Sequence, residues 1–222
     1  MFILDFMKKY IAISLLFILV GCSKENISET TPPMDHSNIP TDSEKSIKKN
    51  PINLDEINPR EIRMLNSEVL ELLKTKNYAK ISQFIHPEKG LRFSMYGYVQ
   101  PKKDKIFSKD DFEKYIGTEI KFTWGEKDGT GDLLQMSLQN YLEKWVFVKD
   151  FTIAETFIDE TKRSGNSINN IKEIYPNSIY TENYIKGTEK YAEMDWNALR
   201  LVFEQYEGKL FLVAIINDQW TV

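Results

Sequence analysis

The sequence predicts an α+β fold in which N-terminal helices pack on a bent antiparallel sheet that ends in a long β-hairpin. Three observations carry that expectation. Apolar residues recur at helical spacing early on, at Ile62, Leu65, Val69, Leu72 and Leu73. Two strand-like runs close the chain, Asn197–Tyr206 and Lys209–Ile216, parted only by Glu207-Gly208. Strand and helix patterns do not alternate as a doubly wound parallel sheet would require.

Order begins at Asn58-Pro59-Arg60-Glu61, with Asn58 as cap, Pro59 at the first helical position and Glu61 suited to the first turn. Asn77 is placed to cap a shorter helix carrying Tyr78, Ile81, Phe84 and Ile85, and Pro87 and Gly90 then turn the chain. Leu91–Val99 alternates as a strand, and Pro101–Lys105 reads as a solvated loop. Ser108 with Asp111 has the form of a capping box and opens a helix through Phe112, Tyr115 and Ile116. Glu119–Trp124 is a strand candidate and Gly125–Asp132 a surface turn. Leu138, Tyr141, Leu142, Trp145 and Val146 mark an amphipathic helix over Ser137–Phe147. Asp150–Phe157 fits helix or strand, Thr161–Asn170 is a polar connection, Ile171–Tyr175 a short helix and Ser178–Tyr184 a strand. In the final hairpin Leu199, Leu201 and Phe203 share one face, with Arg200, Val202 and Glu204 on the other. The run Lys209–Ile216 is apolar on both faces and belongs centrally in a covered sheet.

The N-terminus carries a different kind of information. Lys8-Lys9 precede the run Ile11–Val20, whose only polar member is Ser14. Ten such residues are half of the roughly 20 that a spanning helix needs, so the run reads as the apolar region of a signal peptide, residues 1–21. Met1–Phe6 place apolar residues and Asp5 where a basic region belongs, and a start at Met7 would give Met-Lys-Lys. Ser23–Asp55 contains no aromatic residue and is broken by Pro32, Pro33, Pro40 and Pro51, so residues 22–57 read as a disordered tether. The 33 residues of Ser23–Asp55 reach about 30 Å. His36 lies within it without other ligand types nearby. Residues 58–222 are expected to form a single globular domain.

Composition excludes some partners. Taking Lys8, Lys9 and Asp5 from the 29 basic and 33 acidic residues leaves 27 against 32, a net charge of −5. Such a chain lacks the basic field of a nucleic-acid binder. The single cysteine leaves no disulfide, so the domain depends on its core.

Leu19-Val20-Gly21-Cys22 resembles a bacterial lipobox. The resemblance implies that Cys22 receives a diacylglyceryl group, becomes the first mature residue and tethers the protein to the extracytoplasmic face of the cell membrane through palmitate-like chains. Each buried methylene contributes about 0.8 kcal/mol, so two or three chains hold durably. The segments His86–Ser94, Met194-Asp195-Trp196 and Asn217–Val222 resemble a family of uncharacterised bacterial lipoproteins, over most of the chain after residue 58. More loosely, helices followed by a bent sheet resemble the nuclear transport factor 2-like or cystatin-like cone. Those folds host enzymes and binding modules alike, and the family implies no assigned activity.

The candidate chemistry is sparse. His86 could serve as a general base, yet neither a nucleophilic cysteine nor a serine motif accompanies it, and a turn histidine is the preferred reading. Asp128 and Asp132 could offer oxygens to calcium, but their loop lacks the full acidic pattern, so no metal and no cofactor are expected. The most suggestive set is Asp195, Trp196, Arg200, Asp218, Gln219 and Trp220, which hairpin pairing would gather at one end. The alternative is that the tryptophans close the core while the acids cap strand ends or pair with Arg92 or Arg200.

The expected function is non-enzymatic binding of a ligand, envelope component or partner protein, with His86, Arg92, Tyr96, Trp124, Asp195, Trp196, Arg200, Asp218 and Trp220 as candidate contacts. The alternative is a small cone-fold enzyme using His86 or Asp218 as acid or base; an open pocket joining Arg92, Tyr96, Trp124 and Asp218 would favour it. Replacing Cys22→Ser should abolish fatty-acid labelling and move the protein out of the membrane fraction. Persistent labelling would exclude the lipobox.

Overall fold

The computed structural model describes residues 58–162 and 168–221, all within one compact unit spanning Lys48–Val222. The expected signal peptide, Cys22 and the whole expected tether lie outside the described residues. No helix among those described is long and apolar enough to cross a membrane.

The fold is α+β, and its main sheet is mixed. Helix α1 (Pro59–Lys74) starts as expected, with the Asn58 side chain accepting the Arg60 N–H and Pro59 in the first turn. Its buried stripe is Ile62, Asn66, Val69, Leu70 and Leu73, while Leu65 and Leu72 are only partly buried. A 3₁₀ turn, Tyr78–Phe84, follows, and Asn77 makes no side-chain cap there. Strand β1 (Leu91–Ser94) is shorter than the alternating run suggested. Strand β2 (Lys105–Phe107) begins at the end of the stretch expected to be loop.

Ser108 caps α2 (Lys109–Tyr115) by accepting the Asp111 N–H, while its own hydroxyl donates to the Asp111 carboxylate. Strands β3 (Lys121–Glu126) and β4 (Leu133–Ser137) form a separate two-stranded sheet. Helix α3 (Leu138–Tyr141) continues as a π-helical turn, Leu142–Val146. After a 3₁₀ turn, Phe151–Ile153, come β5 (Glu155–Ile158), α4 (Ile171–Ile174), β6 (Ser178–Ile185), β7 (Asn197–Tyr206) and β8 (Lys209–Gln219).

The six-stranded sheet runs β2-β1-β8-β7-β6-β5. Every pair is antiparallel except β1 with β8, which corrects the all-antiparallel expectation. The path into β1 explains the exception. Ile85 already bridges Leu212 in parallel, and the His86 N–H donates to the Leu212 carbonyl. The chain then makes a local excursion, closed by the Gly90 N–H on the His86 carbonyl, and rejoins β8 with Arg92 opposite Ala214. Gly90 permits this because its φ is +68° and an added Cβ would lie 2.5 Å from the Phe107 carbonyl oxygen.

The β7–β8 hairpin turns through Glu207 and Gly208, both at positive φ (49° and 79°), as a two-residue turn matching strand twist requires. Val202 pairs with Ala214 and Phe203 with Leu212, leaving Val213 as a bulge. The expected facing holds. Leu199, Leu201 and Phe203 join the main core beneath α1, the first 3₁₀ turn and α3, whereas Val202, Ala214 and Ile216 pack with Val99, Ile171 and Tyr175 on the other side. Both faces of β8 are therefore covered, with Leu212 through Ile216 buried throughout. Each such aliphatic side chain contributes about 1.5–3 kcal/mol.

Candidate functional site

Among the candidate residues, Tyr96 and Trp124 meet in a cleft of about 780 Å³. Its walls are the turn after β1, the stretch 100–105, and the β3–β4 hairpin. Beneath it lies an aromatic floor. Trp124 stacks on Tyr141 with ring centres 3.7 Å apart and planes 7° from parallel, and Phe93 meets both edge-on. In β3, Thr123 pairs with Gln135 and Gly125 with Leu134, so Trp124 is a bulge residue. Its indole N–H donates to the Met136 carbonyl at 3.0 Å.

Tyr96 is fixed at both ends. Its ring lies edge-on to Trp145, whose indole N–H donates to the Met95 carbonyl, and its hydroxyl oxygen accepts the Asp128 N–H at 2.8 Å. A second hollow of about 260 Å³ shares Tyr96 and Asp128 with the first and reaches Tyr98 and Asp218. It lies where β8 runs on to Gln219 after its pairing with β1 ends at Ile216.

The electrostatic centre of the cleft is Asp104, a residue the sequence reading placed in a solvated loop. Its carboxylate accepts the Gln100 N–H at 2.8 Å and lies 3.9 Å from the Arg92 guanidinium, with the side chain only 7% exposed. Burial pushes its pKa up to about 6, against the lowering effects of the Gln100 N–H, the Arg92 charge and the Ser94 hydroxyl. The Tyr141 hydroxyl, under the same floor, is buried without a partner among the described residues. Its pKa is raised well above the usual phenol value, first by burial and then by Asp104 and Tyr96.

The other candidates are dispersed. Arg92 lines neither hollow; it stands behind Asp104, donating to the Tyr175 hydroxyl at 2.7 Å and the Pro101 carbonyl at 3.3 Å. His86 is 2% exposed and holds its turn, Nδ1 accepting the Glu88 and Lys89 N–H groups at 3.2 and 3.1 Å while its ring meets Tyr206 edge-on. Arg200 is buried between Glu182 and Asp218, donating to each at 2.6 Å. Its remaining Nη1 has no partner among the described residues.

The expected gathering of both Trp-acid groups is corrected in part. The register is right, with Ala198 opposite Asp218, but Trp196 is buried against Tyr184 whereas Trp220 is 41% exposed and lines neither hollow. Asp195 accepts the Thr188 N–H and hydroxyl, which hold its carboxyl below the usual range. These acids thus cap a loop and pair with Arg200. In place of the single pocket of Arg92, Tyr96, Trp124 and Asp218 that would favour an enzyme, there are two adjoining hollows, one touching Trp124 and the other Asp218, with Tyr96 common to both. No group of three or more metal-ligating side chains is assembled among the described residues.

Missed by the sequence reading were Asp104, hidden among lysines, and the Tyr141 hydroxyl, hidden in an apolar stripe. An acid flanked by Lys103 and Lys105, three residues after Pro101, was the available signal.

No family model matches the chain, and no curated protein matches it. Among solved structures, the chain is similar to a protein from Xanthomonas campestris described as a calcium/calmodulin dependent protein kinase II association domain. The identity is 12%, the match covers 75% of this chain and 90% of that one, and the TM-score is 0.31. This likeness identifies no family.

The Asp104 carboxyl should titrate near pH 6 in a carbon-detected NMR experiment, and Arg92→Gln should raise it further by removing the neighbouring cation. Because the folded chain holds this proton more tightly than the unfolded chain, the Asp104 share of stability is complete below about pH 4 and is lost as pH rises through about 6. Asp104→Asn should remove that slope from the melting profile; a midpoint at the ordinary value of 3.8 would contradict the desolvated placement.

Proposed function

We propose that this chain is a lipid-anchored extracytoplasmic lipoprotein of the cell envelope whose domain binds a ligand, envelope component or partner protein without catalysis. The lipobox-like Leu19-Val20-Gly21-Cys22 and the aromatic-free tether support the anchored part. A signal of this kind hands the domain to the outside of the membrane, and the tether gives it reach. The resemblance to bacterial lipoproteins in His86–Ser94 and the C-terminal segments agrees with that placement.

For the binding part, the observation that carries most weight is the 780 Å³ cleft itself, with an aromatic floor and a few polar groups around it. Ligand sites are commonly concavities of 300–1,000 Å³ in which apolar surface supplies affinity and sparse polar groups set orientation. Catalysis is the weaker reading. His86 is engaged by its own turn and Asp218 by Arg200, and the hydroxyl beside Asp104, that of Ser94, is directed at the Tyr96 and Tyr98 carbonyls.

Thr123, on β3 and half-buried at the cleft wall, offers the least disruptive way to fill the site. Fractionated cell-envelope extract should raise the melting temperature of the full-length protein by about 5–10 °C where a ligand exceeds its Kd a hundredfold. Thr123→Trp should abolish that rise while leaving the unliganded melt near wild type. A rise that survives in Thr123→Trp, or none with any fraction, would remove the cleft from the proposal.

A further inference from the structure

We infer that the cleft takes a neutral, hydroxyl-rich ligand, a saccharide chain, in preference to an organic cation or an anion; this rests on the cleft being the binding site. Three lysines, Lys103, Lys105 and Lys127, and three acids, Asp104, Glu126 and Asp128, line the cleft and alternate along the chain as Lys103-Asp104-Lys105 and Glu126-Lys127-Asp128. An ammonium ion brought to Asp104 would meet the lysines on either side of it, and a phosphate brought to those lysines would meet Asp104. Attraction and repulsion of similar range therefore oppose each other for either ion. An ionic ligand also loses its hydration. A hydroxylated ligand meets neither penalty.

The groups present suit hydroxyls. The Asp104 carboxylate accepts one backbone N–H and has further lone pairs for a hydroxyl donor. Gln100 from the stretch 100–105 and Thr123 and Thr130 from the β3–β4 hairpin line the cleft with groups that both donate and accept. Tyr96 is held half-buried by Trp145 on one side and by Asp128 at its hydroxyl, so an immobilised ring is available to the apolar C–H face of a pyranose without further ordering cost. That ring lines both hollows, and the second one adds the exposed Tyr98. Two unequal hollows meeting at an aromatic residue form a track for consecutive sugar rings rather than a socket for one small ion.

The test is calorimetric titration of the full-length protein in a polyoxyethylene detergent, which carries no sugar headgroup. The probes are tetramers of β-1,4-linked N-acetylglucosamine, of β-1,4-linked glucose and of α-1,4-linked glucose, with spermidine and inorganic phosphate as charged comparators. At least one tetramer should bind saturably, with an affinity unchanged between low and high salt and weakened tenfold or more by Asp104→Asn and by Thr123→Trp. Thr123→Trp serves as the second variant because Asp104 also closes its loop. Binding of spermidine or phosphate that Thr123→Trp abolishes, with no tetramer bound, would overturn the saccharide assignment and leave the cleft as a binding site. A tetramer that binds Thr123→Trp as tightly as wild type would overturn both.

Discussion

Strand β8 imposes the constraint on which the rest of the structure depends. Leu212 to Ile216 are apolar without alternation, so neither face of the strand can meet water and neither edge can be left open at its centre. Strand β7 takes one edge through a long antiparallel register, and β1 takes the other in parallel. The helical layer covers one face. The other is covered by Val99, Ile171 and Tyr175, with the Asn170 amide clamping the Val99 backbone by donating to its carbonyl and accepting its N–H. Helix α1 is keyed to the sheet by a buried pair of amides, Asn66 and Asn183, each donating to the other at 2.9 Å, with the Thr181 hydroxyl donating to Asn66. Such a network specifies one docking because breaking it would leave several buried polar groups unsatisfied.

The cleft follows from unequal strand lengths. Strand β1 pairs with β8 only as far as Ser94 opposite Ile216, yet β8 continues to Gln219. Beyond Ser94 the chain turns away through Tyr96 and Tyr98, and the β3–β4 hairpin stands apart from the main sheet, so the space between them stays open. Packing then places the buried carboxylate of Asp104 on the wall of that space, and the Tyr141 hydroxyl, unpartnered among the described residues, lies behind the stacked Trp124. A buried carboxylate is costly in an apolar setting, and the position of Asp104 on the wall of a concavity is what makes this the favoured site.

Much of this was legible from the residues, and the failures have physical reasons. The central position of β8, its hairpin with β7 and the division of Leu199 from Arg200 followed from period-two patterning and a Gly-containing turn. The parallel pairing of β1 did not, because it depends on a partner some 120 residues away and on the excursion at His86, neither of which leaves a local mark. Strands β2 and β4 have three and five residues, too short for a pattern to rise above the lysines and glutamine they contain. At the site, Tyr96 and Trp124 line the cleft. Trp220 and Asp195 lie outside both hollows, and sequence proximity cannot reveal that Thr188 holds Asp195 and Arg200 holds Asp218.

The central claim is that ligand enters beside Trp124 and Tyr96, not at the end of the β7–β8 hairpin where Trp196 and Trp220 lie. The four tryptophan indole N–H signals of the full-length protein provide the most direct measurement, read by NMR before and after addition of the envelope fraction or glycan that binds. The account predicts shifts of Trp124, in the floor, and Trp145, edge-on to Tyr96, with Trp196 and Trp220 unmoved. Movement of Trp196 and Trp220 with Trp124 and Trp145 still would place binding at the hairpin end and contradict it.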